Sequence, residues 1–106
     1  MTIIIPTNES NENGVITDFK SAKYYAELNI DEDHQIETIK YYTDIEAFFD
    51  TCDYVIISSD HDDEDMSEYV ESGIEVLMAS PNSDIDEIFE SFTFRELHEF
   101  VWIQSI

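Results

Sequence analysis

The stretch DYVIIS, Asp53–Ser58, is the most apolar of the predicted strands and decides the fold. Its β-branched and aromatic residues follow one another without polar alternation, which predicts a strand that is buried on both faces. Thr2–Ile5, which ends at Pro6, and Ile74–Ala79 have the same character. Strands of this kind are typical of the centre of an α/β sheet.

Two further stretches alternate between apolar and polar residues. They are Lys23–Ile30 and Gln35–Tyr42, and the polar segment Asp31–His34 separates them. Two alternating strands joined by a short polar turn predict an antiparallel hairpin.

Four other stretches have the spacing of helices. Thr43, Ser83 and Thr93 can cap the first, third and fourth of these helices, and Gly73 can end the second. Their apolar stripes are Ile45, Phe48 and Phe49; Met66, Tyr69 and Val70; Ile85, Ile88, Phe89 and Phe92; and Leu97, Phe100 and Val101.

The predicted elements therefore follow the order β-β-β-α-β-α-β-α-α. The two strand–helix–strand connections favour parallel pairing near the end of the chain, whereas the hairpin favours antiparallel pairing near its start. We predict a single domain over residues 1–106, an α/β fold in which a mixed five-stranded sheet carries helices on both faces.

The charge of the chain is strongly negative. There are 26 acidic and four basic residues, which gives a formal net charge of −22. Such a charge repels nucleic-acid phosphates and anionic lipid headgroups, so we expect neither nucleic acid nor membrane as a partner. It favours a basic protein partner or cations, and it is also typical of adaptation to salt. No apolar stretch approaches the roughly 20 residues of a membrane span, and we expect a cytoplasmic protein.

Cys52 is the single cysteine of the chain. One cysteine forms no disulfide within the chain and supplies too few thiolates for an iron–sulfur cluster. The sequence also lacks a nucleophile elbow, a phosphate-binding loop and zinc-ligand spacing. These absences predict a protein that is not an enzyme.

An acidic run, SDHDDEDMSE, directly follows the central predicted strand. Ligands gather at the carboxyl ends of parallel strands, so Asp60, His61 and Asp62 are candidate ligands of a weakly held hard divalent cation. Thr7 and Asn8 follow a neighbouring strand and are candidates at the same edge. The alternative is a solvated loop whose acidic residues favour the amino end of the next helix.

Four segments, in this order, resemble the nitrogenase iron–molybdenum cofactor accessory family. They are IIIPTNE, FKSAKYYAEL, CDYVIIS, and ESGIEVLMA followed by SDIDEIFESF, and the match runs from about Thr2 to about Leu97. The resemblance implies a ribonuclease-H-like three-layer fold with strand order 3-2-1-4-5. It also implies that the protein binds or carries an iron–sulfur or iron–molybdenum cofactor precursor without catalysing a reaction.

The chain departs from the family pattern where that family has a His-Phe-Gly segment. Asp18 stands in the histidine position, Phe19 matches, and Lys20 stands in the glycine position. The resemblance makes these three residues candidates for ligand binding. Because soft clusters prefer thiolate and imidazole ligands, an aspartate there predicts a site that is lost or altered towards hard cations. The alternative function is an acidic interaction module that binds a basic partner.

Overall fold

The computed structural model describes residues 1–44, 51–61 and 66–99. In these residues it contains one sheet of six strands, two α-helices and a short 3₁₀ helix at Ser59–His61. The strands are β1 Thr2–Thr7, β2 Tyr24–Ile30, β3 Ile36–Tyr42, β4 Tyr54–Ser58, β5 Glu75–Ala79 and β6 His98–Glu99, and the helices are α1 Ser67–Glu71 and α2 Ile85–Thr93.

The sheet is mixed, and its strands lie in the order β3-β2-β1-β4-β5-β6. The pairs β1–β2 and β2–β3 are antiparallel, β1–β4 and β4–β5 are parallel, and β5–β6 is antiparallel. The mixed sheet and the order of the first five strands are as expected. The prediction of five strands is wrong, because the chain adds β6 to the outer edge of β5.

Apolar side chains cover both faces of the sheet. Val55 and Ile57 belong to one buried cluster and Ile56 belongs to the other, as alternation along a strand requires. The first cluster includes Met66 and Tyr69, at and within α1. The second cluster includes Ile85 and Ile88 from α2, with Phe89 and Phe92 packed against it. The two helices therefore cover opposite faces, and the described residues form three layers. None of the described helices is long and apolar enough to cross a membrane.

The predicted hairpin turn is confirmed between β2 and β3. One carboxylate oxygen of Asp31 accepts hydrogen bonds from the backbone N–H groups of Asp33 at 2.9 Å and Gln35 at 3.0 Å. His34 adopts the left-handed conformation, with φ of 59°. The turn is thus held by a side chain that replaces backbone partners, which is a common role of aspartate in turns.

The end of α1 also follows the prediction. Gly73 has φ of 83°, a conformation that glycine adopts without steric cost. The N–H of Ile74 donates to the carbonyl of Tyr69 at 3.0 Å, which closes the turn into β5.

The predicted cap of α2 is wrong by one residue. Asp84, not Ser83, is the N-cap: its carboxylate accepts the N–H of Glu87 at 2.8 Å, and the Glu87 carboxylate accepts the N–H of Asp84 at 3.4 Å. The hydroxyl of Ser83 instead donates to the carbonyl of Ser80 at 2.8 Å. An aspartate followed three residues later by glutamate forms this reciprocal pair, so the cap shifts to it.

The fourth predicted helix is absent from the described residues that follow Thr93. Thr93 ends α2, and its hydroxyl donates to the carbonyl of Phe89 at 2.9 Å. Arg95 has φ of 57°, and the N–H of Glu96 donates to the carbonyl of Ser91 at 2.8 Å, which is a Schellman ending. The chain then pairs with β5, since an open strand edge offers backbone partners. The stripe residues Phe100 and Val101 of this helix, and Ile45, Phe48 and Phe49 of the first, lie outside the described residues.

Candidate functional site

An open cleft lies at the carboxyl ends of the parallel strands β4 and β5, beside the end of β1. Its volume is about 240 Å³. The residues that line it are Ile16, Thr17, Asp18, Ser58, Asp60, Pro81 and Asn82. Mixed α/β sheets bind ligands at this edge, so the cleft is the candidate site.

Asp60 reaches the cleft because β4 ends at Ser58 and the chain continues into the short 3₁₀ helix. The buried hydroxyl of Ser58 donates a hydrogen bond to one carboxylate oxygen of Asp60. This contact fixes the orientation of the carboxylate with a side chain that belongs to the rigid sheet.

Asp18 reaches the cleft from the segment at residues 16–18, which follows the loop after β1. The N–H of Ile16 donates to the carbonyl of Ser83 at 2.9 Å, and the N–H of Thr17 donates to the carbonyl of Pro6 at 3.1 Å. These bonds hold the segment between the end of β1 and the start of α2. The hydroxyl of Ser21 donates to a carboxylate oxygen of Asp18. The fold thus brings together two carboxylates that the sequence separates by 42 residues, from 18 to 60.

Pro81 and Asn82 form the third wall of the cleft, directly after β5. Asn82 has φ of 63°, a left-handed conformation that asparagine tolerates better than most residues. The sequence analysis did not select these residues, nor Thr17 and Ser58. The signal was present, since a Pro-Asn turn follows a buried strand just as the acidic run follows β4.

Thr7 and Asn8 lie at the end of β1 but organise the adjoining loop rather than line the cleft. Thr7 is fully buried, and its hydroxyl donates to the carbonyl of Glu9 at 2.9 Å. The amide oxygen of Asn8 accepts the N–H of Val15 at 3.0 Å. Both side chains therefore shape the loop that leads to Asp18, and ligand binding by either of them stays a prediction.

Neither Phe19 nor Lys20 lines the cleft, and ligand binding by either of them stays a prediction. The ring of Phe19 is 0% exposed and packs edge-on against Tyr25 and Tyr69 within the core. The ammonium nitrogen of Lys20 lies 5.6 Å from the ring centroid of Tyr69, within cation–π range. Through this packing Phe19 supports the segment that carries Asp18.

The cation site predicted from Asp60, His61 and Asp62 stays a prediction. Asp60 lines the cleft, and the backbone of His61 belongs to the 3₁₀ helix. Asp62 lies outside the described residues. The described residues contain no group of three or more histidine, cysteine or acidic side chains placed to hold a metal ion.

The polar groups that line the cleft are carboxylate, hydroxyl and amide oxygen atoms, together with the amide nitrogen of Asn82. Hard cations and ligands rich in N–H and O–H groups suit such a lining, whereas iron–sulfur clusters need thiolate or imidazole. Cys52 precedes β4 and so lies at the opposite end of that strand, about 20 Å from Ser58 at the usual rise per residue. The cleft residues therefore do not fit an iron–sulfur cluster.

The Cys52 thiol is buried as well as distant. Burial is the main cause that raises its pKa to about 11, and the charges of Asp53 and Glu27 add to the rise. The folded protein thus favours the neutral thiol. Because the unfolded chain ionises at lower pH, the free energy of unfolding falls as pH rises from about 9, the ordinary pKa, to about 11.

We expect iodoacetamide to alkylate native Cys52 at pH 8 about 100-fold more slowly than the urea-unfolded chain, because only the thiolate reacts. Mass spectrometry reports this residue alone, since the chain has one cysteine. Equal rates in native and unfolded protein would show that the thiol is accessible and ionised. The native rate is expected to climb steeply between pH 9 and 11, the window of the raised pKa.

The fold and the cleft together define a small α/β domain with an open cleft at the carboxyl edge of a mixed sheet. No protein-family model matches the chain, and no curated protein matches it. Several solved structures are similar to it over nearly its whole length, and two of them are described here. One is the NMR structure of a "putative NifB protein" of the DUF35 family from Thermotoga, with a TM-score of 0.76, 13% identity, and coverage of 98% of this chain and 97% of that one.

The other is the crystal structure of a "putative dinitrogenase" from Methanocaldococcus jannaschii. Its TM-score is 0.67 at 19% identity, and the alignment covers 93% of each chain. At these identities the likeness shows a shared fold and nothing further. The fold described here therefore occurs among proteins with nitrogenase-related names, as the sequence resemblance implied.

Proposed function

We propose that this chain is a non-enzymatic binding domain of the ribonuclease-H-like, cofactor-accessory type whose cleft no longer holds an iron–sulfur cargo. The observation that carries the proposal is the lining of the cleft, where Asp18 and Asp60 meet among hydroxyl and amide groups. The names of the two similar structures support the accessory type. The nitrogenase-related pathway itself is part of the proposal.

The ligand of the altered cleft is a hard divalent cation that binds weakly. Two carboxylates and neutral oxygen donors are a typical partial ligand set for such an ion, with water completing the coordination. Each carboxylate already accepts a serine hydroxyl, from Ser21 to Asp18 and from Ser58 to Asp60. Few charges and an open position favour dissociation constants of about 10⁻⁴–10⁻³ M.

The test is a manganese titration read by electron paramagnetic resonance. Asp60→Asn and Asp18→Asn should each weaken one saturable site by about tenfold or more, the loss expected when one charged ligand becomes neutral. Asp86→Asn is the matched control, because Asp86 is an exposed carboxylate in the first turn of α2 and does not line the cleft. Its effect should stay below about twofold, as diffuse attraction to many surface charges is little changed by one of them.

Anaerobic reconstitution with iron and sulfide tests the loss of the cluster separately. We expect no stoichiometric cluster per chain by visible absorption and metal analysis. Stoichiometric cluster in the unaltered protein would overturn the proposal. If Asp60→Asn and Asp86→Asn weakened manganese binding equally, the negative charge of the surface, and not the cleft, would be the cause of binding.

A further inference from the structure

The strand β3 forms one edge of the sheet. Among the described strands it pairs with β2 alone. Residues 37–40 at its centre are exposed. The structure describes no strand on the outer side of β3, and protein partners commonly bind such edges by adding a strand.

A bulge places an apolar row, formed by Ile36, Ile39 and Tyr41, on one face of this edge strand. The register shifts at Asn29 and Ile30, so that β3 holds one residue more than β2 between the paired positions. Without the shift, Ile36 and Ile39 would face opposite sides of the sheet, because they are three positions apart in the strand. With it, Ile36 packs with Tyr41 against the buried cluster on the α2 side. Ile39 pairs with Leu28 of that same cluster and remains 40% exposed.

The charges around the row are mostly negative. The exposed turn at residues 31–33 carries three acidic side chains, and Glu37 is exposed within the strand. Lys40 is the one base within β3.

These charges decide between two possible occupants. A second copy of this chain would bring a further formal net charge of −22, and like charges suppress association. Lys40 and the bulge are also devices that hinder pairing between identical edges. A basic segment instead meets complementary charge at the turn before β3 and at Glu37.

We infer that β3 is a docking strand for an extended, lysine- or arginine-rich segment of another protein, which pairs with the edge and places an apolar side chain on Ile39. Backbone hydrogen bonds supply the register, and the acidic residues of the turn before β3, with Glu37, select the basic sequence. This surface is independent of the cleft at the carboxyl ends of β4 and β5, so either assignment can fail without the other.

The probe is a peptide of eight alternating lysine and valine residues, capped at both ends. A second peptide has the same sequence with every backbone nitrogen methylated, which keeps the charge and the side chains but removes the donors along both edges. We expect the first peptide to shift the amide NMR resonances of residues 37–42, and the methylated peptide to bind at least tenfold more weakly. Equal binding of both would overturn strand addition.

Two variants locate the contact. Ile39→Asn should weaken the first peptide at least fivefold, whereas Val70→Asn should leave it within twofold. Val70 is the matched control because it is an apolar residue of α1 that is 44% exposed, against 40% for Ile39. Equal losses in both variants would overturn the location. A dimer by light scattering at about 0.15 M salt that Ile39→Asn abolishes would overturn the basic partner in favour of a second copy.

Discussion

Replacing Phe19 with alanine is expected to lower the free energy of unfolding by about 3–5 kcal/mol, the cost usual for deleting a buried aromatic ring. The ring is 0% exposed, and its centroid lies 5.3 Å from those of Tyr25 and Tyr69 in edge-to-face contacts. The Tyr25 hydroxyl also donates to the Phe19 carbonyl at 2.6 Å, so ring and backbone are tied to the same neighbour. Urea unfolding followed by circular dichroism measures the loss.

Phe94→Ala is the control for this measurement. Phe94 is 66% exposed at the end of α2, and substitutions of such surface residues change stability by about 0.5 kcal/mol or less. A loss below about 1 kcal/mol for Phe19→Ala would contradict the packing described here. Phe19→Leu, which keeps much of the apolar volume, should retain manganese binding in the cleft at temperatures where it is folded. Loss of binding in folded Phe19→Leu would show that the cleft depends on the Phe19 ring itself and not only on its apolar volume.

Features set by local sequence could be predicted well. The central position of β4 follows from a run without polar alternation, since such a run is stable only between two covered faces. The hairpin follows from two alternating strands around an acidic turn, and the end of α1 follows from a glycine that adopts positive φ. Each of these three features depends on residues that are neighbours in the chain.

Features set by distant partners could not be predicted in this way. Thr93 and Glu96 have capping-box spacing, yet Thr93 ends one helix instead of starting another. The residues after it pair with β5, whose open edge is created by the rest of the sheet. A helical pattern that competes with an available strand edge loses to tertiary context, which sequence spacing does not record.

The site shows the same division. That ligand groups would gather after β4 followed from the rule for parallel strands, and Asp60 was selected on that basis. Asp18 was selected only because it occupies the histidine position of a resembling family. Their meeting in one cleft depends on the Ile16 and Thr17 backbone bonds to Ser83 and Pro6, which join parts of the chain that are far apart in sequence.

We expect a second large loss of unfolding free energy when an apolar side chain is removed from either face of β4. Ile56 and Ile57 are both 0% exposed, but Ile56 packs on the α2 side and Ile57 on the α1 side. Ile56→Ala and Ile57→Ala should each cost about 2–5 kcal/mol of unfolding free energy, because each leaves a cavity under a different layer. Urea unfolding at one fixed salt concentration compares them with the unaltered chain, so that charge screening is constant.

The double variant tests whether the two layers are separate. The two side chains belong to different clusters, so their costs should add to within about 0.5 kcal/mol. The sum would then consume most of the 5–15 kcal/mol that is usual for a folded protein, and the double variant should be largely unfolded. Ile39→Ala, at a 40% exposed position of β3, is the control and should cost less than about 1 kcal/mol. A cost near that of the control for either buried isoleucine would mean that its face of the sheet is open, and would contradict the three-layer fold.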